Sequence, residues 1–211
     1  MLIQNQVGPI ATTQSIAPGT QAPARAGQLG DTIVSEVSPA YYEATYRRAS
    51  FSAANQSARV TTAGLATTQT GLCLSNPVGS TVNLVLTLVG WAFPVAPAAD
   101  LVVGLATGYN SSTNVTHTTP ITPRSNFFGV GASPVGLVDE STTLPTAPVL
   151  TLVFGKVDTA AITTSSSQSN GFADLKGAIV LPPGAYAHIY TSSVANTAGF
   201  LGSISWIEIP V

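Results

Sequence analysis

Few side chains in this sequence could do covalent or acid–base chemistry, and none sits in a pattern that such chemistry requires. Nucleophilic catalysis needs a Ser, Thr or Cys beside a base and an orienting group. Serines are abundant, yet no Gly-x-Ser-x-Gly elbow occurs. The single cysteine, Cys73, lies far in sequence from the two histidines, His117 and His188, so no zinc set is expected from them. Flanked by Leu72 and Leu74, Cys73 reads as an ordinary strand position. Glycoside hydrolysis needs two carboxylates across a cleft. Asp139-Glu140 is the adjacent acidic pair, placed here in a loop, where neighbouring side chains point apart. No Asp-rich spacing suggests calcium, and no Gly-rich loop opens a helix to cradle phosphate. The expectation is a non-enzyme with no catalytic residue, no cofactor and no metal.

Two groups read instead as contact surfaces. Tyr41, Tyr42, Tyr46, Arg47 and Arg48 combine the residue types enriched at interface hot spots. On a strand, Tyr42, Tyr46 and Arg48 would share one face, and Tyr41, Glu43, Thr45 and Arg47 the other. The compatible alternative is a Glu43–Arg47 pair with the tyrosines capping a core. The second group is Tyr186, His188 and Tyr190, which alternate onto one face of a strand. That stripe suits stacking on a sugar, or else an interface or partly buried sheet face.

Charge narrows the function classes further. Charged residues are 8% of the chain, against roughly 25% in typical soluble domains. Between Val60 and Pro123 the only formal charge is Asp100. A chain so poor in charge either has much of its surface covered by partners or wears an uncharged polar skin. With net charge −2 there is no basic footprint for nucleic acid. No membrane association is expected: the most apolar stretch, Val82–Ala99, is broken by Asn83, Gly90, Pro94 and Pro97. Nor do Gln4, Asn5 and Gln6 suit the apolar region of a signal peptide.

The positioning elements read as strands. Residues 1–30, with Pro9, Pro18, Pro23 and four glycines, read as an extended arm that a neighbouring subunit would hold. Residues 31–211 read as one sandwich domain. Strand signals fall at Thr32–Val37, Tyr41–Phe51, Arg59–Thr62, Thr67–Leu74, Thr81–Phe93, Leu101–Thr107, Val149–Phe154, Ile179–Leu181, Ala185–Thr191 and Ser203–Ile209. The apolar run Leu84–Val89 suggests a central strand buried on both faces. Long irregular loops are expected near 108–147 and 155–178, the latter with an exposed polar tip over Thr163–Asn170.

The segments Leu181-Pro182-Pro183-Gly184-Ala185-Tyr186 and Gly202 through Val211, with Val115–Pro120 and Gly136–Asp139, resemble structural proteins of tailed bacteriophages. Some of that class decorate or cement the head; others sit at the neck or tail. The likeness runs over most of residues 30–211. It implies a jelly-roll-like antiparallel β-sandwich, homotrimers, and a place in the virion beside the major capsid protein or other virion proteins. The alternative is a carbohydrate- or receptor-binding module of a head or tail fibre, using the 108–147 loop and the Tyr186 stripe.

Overall fold

A computed structural model of the chain describes residues 40–97, 99–129, 131–158, 170–197 and 199–211. The expected arm, the strand at Thr32–Val37 and most of the polar tip at 163–170 lie outside the described residues.

Among the described residues, one short helix, α1 (Tyr42–Tyr46), precedes twelve strands. They are β1 (Ser50–Ala54), β2 (Thr68–Ser75), β3 (Val82–Ala92), β4 (Leu101–Tyr109), β5 (Thr116–His117), β6 (Pro120–Ile121), β7 (Arg124–Ser125), β8 (Leu137–Thr143), β9 (Val149–Val157), β10 (Asn170–Leu181), β11 (Ala185–Thr191) and β12 (Leu201–Pro210). Two antiparallel sheets form, ordered β10-β3-β12-β1-β7 and β5-β8-β2-β11-β4-β9, with β6 also on β8. Eight strands pair as nested partners: β1 with β12, β2 with β11, β3 with β10, and β4 with β9. This is one long hairpin, its tip at β4–β9, rolled so that successive pairs alternate between sheets. That wrapping is the jelly roll. The short strands β5–β7 and β8 are an insertion between β4 and β9.

The core fills the space between the sheets with alternate residues of each strand. Leu84, Leu86 and Val89 of β3, Ile204 and Trp206 of β12, Leu72 and Leu74 of β2, and Val103 and Leu105 of β4 are all buried there. Buried asparagines tie the layers. Asn55 donates to Gly71 O on β2 at 2.9 Å and to Glu140 on β8, and accepts from the Gly202 amide at 2.8 Å. Asn76 donates to the carbonyls of Val82 and Leu181. At the Pro182-Pro183-Gly184-Ala185 corner, Gly184 takes φ +87°, and the Ala185 amide closes the turn onto Pro182 O at 2.9 Å. A side chain there would strike Asn110 O, so the turn that launches β11 requires glycine.

Four expectations are corrected. Tyr41–Arg48 is not strand: α1 occupies Tyr42–Tyr46, with Glu43 and Arg47 paired at 2.6 Å one turn apart. Arg48 ends it in the left-handed region at φ 61°. The run Leu84–Val89 is buried on one face only, since Leu88 is exposed and Val85 half-buried. The stretch 108–147 is not loop throughout, because β8 runs through it and pairs with β2. The same holds for 155–178, where β10 begins at Asn170 and pairs along β3.

Candidate functional site

The groups with chemistry converge on the outer side of the second sheet. His188, Cys73 and Asp139 occupy one cross-strand row, His188 opposite Cys73 on β11–β2 and Cys73 opposite Asp139 on β2–β8. The sequence separation that argued against such a meeting is erased by strand pairing. Asp139 lies on a strand rather than in a loop, and there it pairs with Nδ1 of His117 from β5. As expected for adjacent residues, Asp139 and Glu140 face different partners; Glu140 pairs with Arg59.

This row is closed to solvent. Cys73 also joins Tyr186, Val115 and Leu144 in a second, smaller apolar cluster. The Tyr186 ring lies against Gly108, and its hydroxyl donates to Thr146 O at 2.6 Å. Of the stripe Tyr186, His188 and Tyr190, the first two are buried and only Tyr190 is half-exposed, the arrangement of a buried sheet face rather than an open stacking platform. Burial pushes the Cys73 thiol up to about 12, with the Asp139 charge adding to it and Thr142 opposing. Burial likewise lowers His188 to about 4, against a smaller opposing effect from the Ile189 carbonyl. A thiol held protonated and a histidine held neutral are poor nucleophile and base. Among the described residues, no group of three His, Cys, Asp or Glu side chains converges as metal ligands. Cys73 is therefore expected to resist a thiol-specific reagent in the folded protein and to react fully on unfolding. Stoichiometric labelling under native conditions would contradict this.

The open surfaces lie elsewhere. Tyr42 and Tyr46 of α1 are exposed and stack with centroids 6.0 Å apart, and Phe127 meets Tyr46 edge-on. Tyr41 donates its hydroxyl to Asp174 on β10 at 2.9 Å, while Ala49 bonds the Glu208 amide beside β1. β10 and β1 flank β3 and β12, so the chain at 41–49 crosses the outer face of the first sheet. Thus Tyr42 and Tyr46 lie on the helix, with Tyr41, Arg47 and Arg48 at its ends, rather than alternating along a strand.

The outer face of that sheet carries several apolar side chains among polar ones such as Asp174 and Ser205. Val180, Val85 and Ile207 stand in one cross-strand row over β10, β3 and β12. Leu88 lies further along it, and Phe172 and Ile209 near its ends, at 78% and 48% exposure. Sequence reading missed these residues as a set because a continuous apolar run looks the same whether its second face meets a core or solvent. A separate groove, lined by Arg59, Arg124 and Phe128 among others, opens where β1 and β7 approach β6. Comparison with protein-family models, curated proteins and solved structures finds no match.

Proposed function

We propose that this chain is a structural subunit that works by packing, with copies of itself and with other proteins of a virus particle. The observation that carries the reading is the exposed apolar face of the first sheet, the row Val180–Val85–Ile207 with Leu88, Phe172 and Ile209. Asp174, in register with Leu88, is already engaged by Tyr41. Exposed apolar side chains gathered on one sheet face, on a chain with 8% charged residues, fit an association surface. Jelly rolls recur in viral capsid and lectin domains, which fits the phage resemblance. On this reading the protein decorates or cements a capsid, as a homotrimer against the major capsid protein or another virion protein.

The mechanism is thermodynamic. Burying apolar surface stabilises by about 25 cal/mol per Å², and association costs cancel much of that for any one contact. A particle gains through many copies. The test is a Leu88→Lys, Val180→Lys double variant, whose lysines stand on the outward face and leave the core intact. Light scattering during size exclusion should show the wild-type chain assembling and the variant monomeric, with equal unfolding midpoints. A monomeric wild type at high concentration, or a variant that assembles equally well, would overturn the reading. The alternative, a carbohydrate- or receptor-binding module, draws on a different surface.

A further inference from the structure

We propose that the groove between β1–β7 and β6 binds an acidic oligosaccharide, with Arg124 taking a sugar carboxylate and Phe128 stacking on a pyranose ring. The groove opens at one side of the sandwich, where the insertion passes from the second sheet to the first. Ser52, Ser203 and Arg124 come from the first sheet, and Pro120 and Ile121 from β6 on the second. Its volume is about 650 Å³, within the range of roughly 300–1,000 Å³ typical of small-ligand sites. A second lobe of about 560 Å³ adjoins it and shares Thr122, Arg124 and Phe128. These three therefore form a ridge between two hollows, a shape suited to an elongated ligand rather than a compact one.

The charges select the ligand's chemistry. Arg59 is held by Glu140, which is itself buried and bonded by the Asn55 amide. That pair is locally neutral and fixed in position. Arg124 is exposed and, among the described residues, has no carboxylate partner. Its backbone is fixed by pairing with Ser52 on β1. A guanidinium on a rigid strand recognises a carboxylate through two parallel hydrogen bonds. Phe128, at 86% exposure, is an aromatic face with nothing covering it. Thr119, Thr122 and Ser203 add hydroxyl groups that both donate and accept, as sugar hydroxyls require. An acidic peptide fits less well, because strand addition would use the edge strand β7, which has only two residues. Carboxylate, polyhydroxyl and ring face together describe an oligomer of uronic or sialic acid.

The test is calorimetric titration of the isolated full chain with four probes: galacturonate hexamer, sialic acid hexamer, neutral maltohexaose and hexaglutamate. At least one acidic sugar should bind, and maltohexaose and hexaglutamate should bind at least about tenfold more weakly. Arg124→Gln and Phe128→Ala should each weaken the acidic sugar about tenfold or more at an unchanged unfolding midpoint. Arg124→Lys, which keeps the charge but loses the fork, should fall between wild type and Arg124→Gln. The proposal is overturned if no acidic sugar binds, if maltohexaose or hexaglutamate binds as well, or if Arg124→Gln has no effect. None of these readings requires the particle, so they stand or fall separately from the packing role.

Discussion

Replacing Trp206 with alanine is expected to destabilise the fold by about 3–5 kcal/mol, the range for removing a large aromatic from a packed core. Trp206 is fully buried. It stands on β12 between β1 and β3, opposite Phe51 on one side and Leu86 on the other. Its ring lies 6.0 Å from that of Phe51, and Gly136 approaches so closely that a side chain there would press on the indole. The indole N–H also donates to Glu208, which accepts the amides of Val135 and Gly136 at 2.9 Å each. One side chain thus fills the centre of the first sheet and, through Glu208, anchors the segment leading into β8. At the lower end of that cost the melting temperature of a domain this size should fall by roughly 10 °C. Trp206→Phe keeps most of the ring and loses the N–H, and should cost about 1–2 kcal/mol. Chemical denaturation of both variants checks this. A loss under 1 kcal/mol for the alanine variant would mean the core is not centred on Trp206.

The elements that were legible in sequence are those whose cause is local. β11 begins where the Pro-Pro-Gly turn ends, because Gly184 alone can take the positive φ that reverses the chain. β3, β4 and β12 announce themselves as β-branched and leucine-rich runs. What stayed hidden depends on distant partners. β8 is polar, Asp139-Glu140-Ser141-Thr142, and becomes a strand because β2 pairs with it and buries Asp139, Glu140 and Thr142. β10 contains a kink, Lys176 and Gly177 both at positive φ, so its periodicity breaks just where pairing with β3 shifts register. The tyrosines of α1 favour a strand by type, yet a Glu43–Arg47 pair suits one helical turn. For the site, the residues were visible and their meeting was not. Cys73, His188 and Asp139 are neighbours only through strand register, which no single segment encodes.

That register sets up the last expected result, a loss of stability in mild acid that depends on His188. His188 Nδ1 faces the carbonyl oxygen of Ile189 at 3.2 Å, an acceptor, so Nδ1 carries the hydrogen and Nε2 is left bare. Nε2 is buried without a hydrogen-bond partner, as is Oδ1 of Asp139. The surrounding side chains are Cys73 and Gln69 from β2 and Asp139, Glu140 and Thr142 from β8. Burial holds His188 near 4, below its ordinary 6.5, so as pH falls the unfolded chain takes up the proton first. Full stability is present above pH 6.5 and is lost progressively as pH falls toward 4. The slope approaches about 1.4 kcal/mol per pH unit, for a total on the order of 3 kcal/mol. His188→Gln keeps an uncharged polar side chain and should flatten the profile between pH 6.5 and 5, above the range where ordinary carboxylates titrate. The comparison is the difference between the two proteins at each pH. Parallel profiles for wild type and variant would show that His188 is not held neutral, and the closed polar row would then have to admit water.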